Sequence, residues 1–257
     1  QTPRLDAELL LCEATGGQRA RLASEPELEL PAAAGREFAS FVRRRLRREP
    51  LAYITGRRGF RHLELSVDSR ALIPRPETEL LVEIAHELAP RRLLDVGTGS
   101  GAVALAIASE LPRCEVFATD TSAEALALAR ENAAALGLAD RIAFEAGTLP
   151  EGEAFDLIVA NLPYVGEGDW GALAPEITRH EPAEALVAGG DGLEAIRGLL
   201  AEVGARSVRG VPATAAIVLE VGEGQAGPVG ELAAAAGFAS IEARRDLAGI
   251  ERVVIAR

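Results

Sequence analysis

Leu93-Leu94-Asp95-Val96-Gly97-Thr98-Gly99-Ser100-Gly101 is the stretch from which the fold of this 257-residue chain is read. A short apolar strand runs into a turn with Gly at alternate positions, and Ala102 and Val103 open a helix behind it. The glycines make the turn tight and let a ligand approach the backbone where a Cβ would otherwise stand. The helix start presents free N–H groups to an anionic group. Asp120 follows Gly101 by 19 residues, at the end of the next strand. A carboxylate there accepts hydrogen bonds from the ribose hydroxyls of an adenosine cofactor. Gly97, Thr98, Gly99, Ser100, Gly101 and Asp120 are therefore the candidate cofactor residues. A dinucleotide loop carries a third Gly where this chain has Ala102, a variant some such loops tolerate. The loop alone leaves a dinucleotide and S-adenosylmethionine both open.

Outward from the loop, apolar strands alternate with helices. Strands are expected at 92–96, 115–119, 141–145, 155–160 and 213–221. Thr121 and Glu124 read as a capping box for a helix that Gly137 closes. The tail differs: strands at 238–243 and 251–256 are joined by a loop holding Asp246 and Gly249, with no helix between them. The fold class is α/β, a mostly parallel sheet covered on both faces with an antiparallel pair at its edge.

The N-terminal part reads differently. Thr2-Pro3 opens a helix with Leu5, Leu9 and Cys12 on one face, and Gly16-Gly17 stops it. A second helix is expected over 31–49, with Phe38, Phe41, Val42 and Leu46 as its apolar stripe. Arg43, Arg44, Arg45, Arg47 and Arg48 crowd its last turns, as a solvated face or as a docking patch for an acidic partner. After Pro50, Leu63, Leu65 and Val67 alternate with Glu64 and Ser66, and with Gly59-Phe60 they suggest a hairpin. A further helix is expected over 76–88.

A net charge of -12 argues against a protein whose affinity comes from a phosphate backbone, so no stable nucleic-acid partner is expected. The first 70 residues nevertheless hold 13 Arg against 10 acidic residues. No apolar run reaches the ~18 residues that span a bilayer, and no secretory leader is visible. Cys12 and Cys114 stand alone, with neither a disulfide framework nor a metal knuckle, so no metal is expected and a reducing cytoplasm is. The absence of Met suggests that a few residues precede Gln1.

Asn161-Leu162-Pro163-Tyr164 follows the fourth expected strand directly. The carboxyl ends of parallel strands are where such sheets bind ligands. A planar NH2 group, on an amide or on adenine, offers two N–H donors. Two acceptors can hold it with its nitrogen facing a sulfonium methyl: the Asn161 side-chain oxygen and the Leu162 carbonyl. Tyr164 can pack on the planar group, and Pro163 stiffens the loop. Asn161, Leu162, Pro163 and Tyr164 are the candidate catalytic and substrate-binding residues.

With these residues in view, the chain resembles the HemK/PrmC family, the release factor glutamine methyltransferases. The likeness runs through Glu49-Pro50-Leu51-Ala52-Tyr53-Ile54-Thr55-Gly56 and Leu72-Ile73-Pro74-Arg75-Pro76-Glu77-Thr78-Glu79. It continues through the Gly-rich loop, the tetrapeptide, Glu181-Pro182 and Gly189-Gly190-Asp191-Gly192-Leu193. The resemblance implies a class I, Rossmann-like methyltransferase domain over 75–257, a hairpin linker over 57–74 and a helical substrate-docking domain over 1–56. It implies S-adenosyl-L-methionine as cofactor and peptide chain release factors as partners. The methyl acceptor would be the glutamine amide of their Gly-Gly-Gln motif, and the enzyme a monomer.

Two departures stand out. The family's usual tetrapeptide is Asn-Pro-Pro-Tyr; Leu162 keeps the carbonyl and loses one fixed φ. Asn-Leu-Pro-Tyr is typical of rRNA adenine dimethyltransferases, so adenine N6-methylation of rRNA or DNA is the alternative. Those enzymes lack the 73–79 and 189–193 segments. Where the family commonly has an acidic residue beside adenine, this chain has Gly147-Thr148-Leu149, with Leu149 as the candidate contact. Transfer is expected to be direct, without an early general base, because positioning carries most of the work. His180 reads as a polar loop residue. Arg75 and Glu77 either open a helix or touch cofactor or substrate.

Overall fold

Gly16, left-handed at φ 63°, closes α1 (Pro3–Thr15) by donating its N–H to the last turn. The structure, a computed structural model, describes residues 2–25, 27, 29–208 and 214–257. A short α2 (Arg19–Ser24) follows, which the sequence reading did not anticipate. The long helix expected over 31–49 is α3 (Ala32–Leu46), a turn at Arg47 and Arg48, and α4 (Leu51–Thr55). Pro50 lacks the N–H that a continuous helix needs, and Arg48 takes a left-handed φ of 69° to make the break. Leu46, expected on the apolar stripe, is 77% exposed because the helix ends there.

Three of the arginines in this region turn inward. Arg44 bonds Glu49 and the carbonyls of Tyr53 and Ile54, which fastens α3 to α4. Arg45 joins Asp6 of α1 at 2.8 Å to Glu176 at 2.9 Å, far along the chain, and Arg48 pairs with Glu176 as well. Arg43 and Arg47 remain exposed.

β1 (Arg57–Phe60) and β2 (Leu63–Ser66) form the expected antiparallel hairpin, with Phe60 opposite Leu63. The segment 76–88 is a 3₁₀ turn at Pro76–Thr78 followed by α5 (Glu79–Leu88). The sheet domain then runs β3 (Arg92–Val96), α6 (Ala102–Glu110), β4 (Glu115–Asp120), α7 (Ala123–Ala135), β5 (Ile142–Ala146) and β6 (Leu157–Ala160). It continues through α8 (Pro175–His180), α9 (Glu194–Val208), β7 (Ala216–Glu220), α10 (Ala226–Ala235), β8 (Ile241–Arg245) and β9 (Glu251–Ala256). Ala213, in the strand expected over 213–221, lies outside the described residues.

Among the described residues the sheet has seven strands in the order β5-β4-β3-β6-β7-β9-β8. All are parallel except β9, which runs against β7 and β8. The β8–β9 edge is the antiparallel pair that the tail predicted. Successive residues of each central strand feed opposite cores. Leu93, Leu157, Val159, Val218 and Val253 pack with α5 and α6, and Leu94, Ile158, Leu219 and Val254 pack with α9 and α10. Two buried faces explain why apolar residues follow one another along these strands rather than alternating.

α7 is capped one residue later than expected. Ser122, not Thr121, accepts the Ala125 N–H at 3.2 Å, because Asp120 takes the Ser122 N–H at 2.9 Å and leaves Thr121 exposed. Among the described residues no helix is long and apolar enough to cross a membrane.

Candidate functional site

The strand order reverses between β3 and β6, and parallel sheets bind ligands in the crevice at that point. The Gly-rich loop leaves β3 and the tetrapeptide leaves β6, so the two motifs flank one cavity of about 640 Å³. That is the size of an ordinary small-molecule site.

The loop is held from below. Gly97 and Thr98 both donate to the Thr119 carbonyl, at 2.8 and 2.9 Å. Asp95, 2% exposed, accepts the Thr98 hydroxyl at 2.7 Å and the Ala104 N–H at 3.2 Å. Burial pushes its carboxyl up to about 7, against the pull of those two bonds. Asp120 accepts the Gly99 N–H at 2.9 Å, so the acidic residue and the loop are braced before any ligand arrives. Asn132 of α7 bonds the Ser100 carbonyl at 2.9 Å and both backbone groups of Ser66, tying the loop to β2.

The glycines do different jobs. Gly97 (φ 73°) lies under Leu162, whose Cδ2 would be 2.9 Å from an added Cβ. Gly99 (φ 57°) faces the cavity, with Ala71 at 3.8 Å from such a Cβ. Gly101 (φ 85°) does not reach the cavity: it lets α7 approach, and a Cβ there would lie 3.2 Å from Ala129 Cβ.

On the other wall, Asn161 Nδ2 donates to Thr78 Oγ1 at 3.0 Å. That bond turns Asn161 Oδ1 away from Thr78. Among the described residues no donor meets Asn161 Oδ1 or the Leu162 carbonyl. Asn161, Leu162 and Pro163 all line the cavity. Tyr164 does not. Its carbonyl accepts Gln225 Nε2 at 2.9 Å, its ring packs by Gly222, and burial pushes its hydroxyl up to about 12. Leu149, the expected adenine contact, also stays outside. It packs against the core beneath α9, and Arg206 holds its carbonyl at 2.7 Å. Gly147 and Thr148 line the cavity instead.

Arg75 is bound by Glu181, whose side chain is 2% exposed and also accepts the Ile73 N–H at 3.1 Å. The Glu181-Pro182 segment and the segment before α5 are thus one clamp. Arg75 also lines the cavity, and Glu77 is exposed. His180 bonds the Arg47 carbonyl at 3.3 Å, outside the cavity. Sequence reasoning missed Asp95, Thr78, Asn132, Glu181, Glu220 and Gln225 as parts of this site. The available signal was a polar residue inside an apolar strand or helix, as at Asp95, Asn132 and Glu220. Among the described residues no group of three His, Cys, Asp or Glu could hold a metal ion.

Residues 1–56 match the PrmC N-terminal domain family and residues 75–193 the methyltransferase small domain family. The chain is 44% identical over 265 residues to the release factor glutamine methyltransferase of Xylella fastidiosa strain Temecula1, covering 99% of this chain and 93% of that one. It is 41% identical over 264 residues to that of Coxiella burnetii, covering 100% and 92%. A solved methyltransferase from Pyrococcus furiosus has the same fold, with a TM-score of 0.57 at 16% identity over 85% of this chain and 98% of the other.

Proposed function

The chain belongs to the release factor glutamine methyltransferase family, and we propose that it methylates the glutamine side-chain amide in the Gly-Gly-Gln motif of peptide chain release factors, with S-adenosylmethionine as donor. The observation that carries this reading is the pair of open acceptors, Asn161 Oδ1 and the Leu162 carbonyl, on the wall opposite the Gly-rich loop. An amide NH2 has one N–H for each. Held that way, its nitrogen is oriented toward the cofactor side of the cavity.

The residues present fit the donor. Gly99 leaves room at the cavity wall, and Asp120 can accept ribose hydroxyls beside the two bonds it already accepts. S-adenosylmethionine supplies a methyl group on a sulfonium, which leaves readily. The chain's own part is to orient the amide, exclude competing orientations and accept positive charge as it builds on nitrogen. Positioning of this kind is worth several kcal/mol, on the order of 7–11 at its best. Residues 1–56, with Arg43 and Arg47 exposed, are the surface that we assign to holding the release factor, and 57–74 the linker between that surface and the transfer domain.

The alternative acceptor, adenine in rRNA or DNA, presents the same planar NH2. Charge disfavours it. Asp95, Asp120, Glu184, Glu194 and Glu202 line the cavity against Arg70 and Arg75, a poor seat for a polyanion. The test offers methyl-labelled S-adenosylmethionine with unmodified release factor in one tube and unmodified ribosomal RNA in another. Label in a methylated glutamine amide, lost when that glutamine is replaced by glutamate, is the expected result. Label in RNA and none in the release factor would overturn the reading.

A further inference from the structure

Glu220 closes β7 behind the cavity wall without lining it. It is 1% exposed and sits among Val218, Leu219 and Val221, and its Oε2 meets no donor among the described residues. A carboxyl in such a place destabilises the fold, so its presence asks for a reason beyond packing. The charged and titratable groups facing it are Arg252 from β9, Arg75 and Glu77 from the segment before α5, and Tyr164 from the loop after β6. The Thr78 hydroxyl, which receives Asn161 Nδ2 at 3.0 Å, lies close enough to hold the Glu220 carboxyl down.

Where the protons sit among these three groups matters. A hydroxyl has one proton to give. A carboxylate only accepts, so an ionised Glu220 takes the Thr78 proton and leaves Thr78 only lone pairs for Asn161. Asn161 must then present its NH2 to Thr78 and its oxygen to the cavity. A protonated Glu220 can donate to Thr78, whose proton is then free to meet Asn161 Oδ1. The amide flips, and its NH2 faces the N–H groups of the substrate. We propose that Glu220 is a positioning residue that fixes, through Thr78, which end of the Asn161 amide meets the acceptor nitrogen. The inference rests on the functional reading above.

Burial raises the Glu220 carboxyl to about 7, with the Thr78 hydroxyl and Arg252 pulling the other way. Ionisation, and with it the correct placement of the protons, is therefore lost as the pH falls through that range. The wild-type kcat on release factor should fall on the acid side of an inflection near 7. Glu220→Gln, which offers Thr78 a donor or an acceptor alike, should lose about tenfold or more in kcat and lose the inflection, with S-adenosylhomocysteine affinity within about twofold of wild type. Thr78→Val should do the same, and Thr78→Ser, which keeps the hydroxyl, should restore both rate and inflection. If Glu220→Gln does not fold, the Thr78 pair decides alone. A Glu220→Gln or Thr78→Val enzyme with wild-type kcat, or with the inflection intact, overturns the inference. So does a loss of cofactor affinity that matches the loss of kcat. A wild-type enzyme that leaves release factor unmethylated would instead sink the functional reading.

Discussion

Gly192→Ala should slow methyl transfer from a position that touches neither cofactor nor acceptor. Gly192 is buried at φ 73°, a backbone conformation that costs an alanine about 1–2 kcal/mol. Its missing Cβ is filled by the tetrapeptide: an added methyl would lie 2.9 Å from the Tyr164 carbonyl carbon and 3.0 Å from Gln225 Nε2. Ordinary contacts begin near 3.4 Å and the Tyr164 carbonyl oxygen, nearer still than its carbon, lies far inside that distance, so the Tyr164 backbone must yield. Gln225 cannot yield freely, because its own bonds to Tyr164 and Gly222 are 2.9 and 2.8 Å long. The displacement therefore travels along Pro163 to Leu162 and Asn161. Misplacement by about 1 Å costs on the order of 100-fold in rate, and a smaller shift here should cost about 10–100-fold in kcat. Thermal melting should fall by roughly 2–8 °C, and S-adenosylhomocysteine affinity by calorimetry should change little. Gly190→Ala is the control, since nothing lies within 4 Å of a Cβ there. Equal kcat in the two variants would refute the argument that Gly192 braces the acceptor loop.

Asn161→Ala removes one of the two open acceptors and should lower kcat by about 100–1,000-fold while S-adenosylhomocysteine still binds; turnover near wild type would end its assigned role. Arg45→Ala should lower stability by about 1–3 kcal/mol in denaturant titration, because the guanidinium, 17% exposed, joins Asp6 to Glu176. Its KM for release factor should move less than that of Arg43→Glu/Arg47→Glu, which should rise in a salt-dependent way without a loss of melting temperature. An unchanged KM in the double variant at both low and high salt would leave those two arginines a solvated face.

The sheet was legible because burial on both faces wrote itself into composition. Leu93 and Leu94 face opposite cores, so apolar residues follow one another with Asp95 as the exception, and the glycines after Val96 mark where the strand must stop. Edges were less legible. β8 begins at Ile241, three residues later than expected, because Ala239 and Ser240 both donate to the Arg257 carbonyl and hold the chain in a turn. Phe238, which suggested the strand, packs on the core from that turn. The cap of α7 was misread by one residue because Thr121 and Ser122 are both good caps, and the choice falls to Asp120. The basic helix was read from its own residues, yet its arginines answer to acids elsewhere: Arg45 meets Asp6 and Glu176 at separations of 39 and 131 residues.

The same distinction separates the halves of the candidate site. Asn161 and the Gly-rich loop are motifs whose chemistry is local, and both line the cavity. The groups that aim them are not local. Asn132 reaches Ser66 and Ser100 across 66 and 32 residues, Glu181 reaches Arg75 across 106, and Thr78 reaches Asn161 across 83. Each is a polar side chain in a setting that punishes unpaired polar atoms, so each had to have a partner that the local sequence does not name. A buried Asp in β3, an Asn in α7 and a Glu at the end of β7 are therefore better pointers to a positioned site than the exposed His residues, which bond other surface groups. The site was found by residues that line the cavity. Its geometry is set by residues whose only signature in the sequence is that they are polar where the fold wants none.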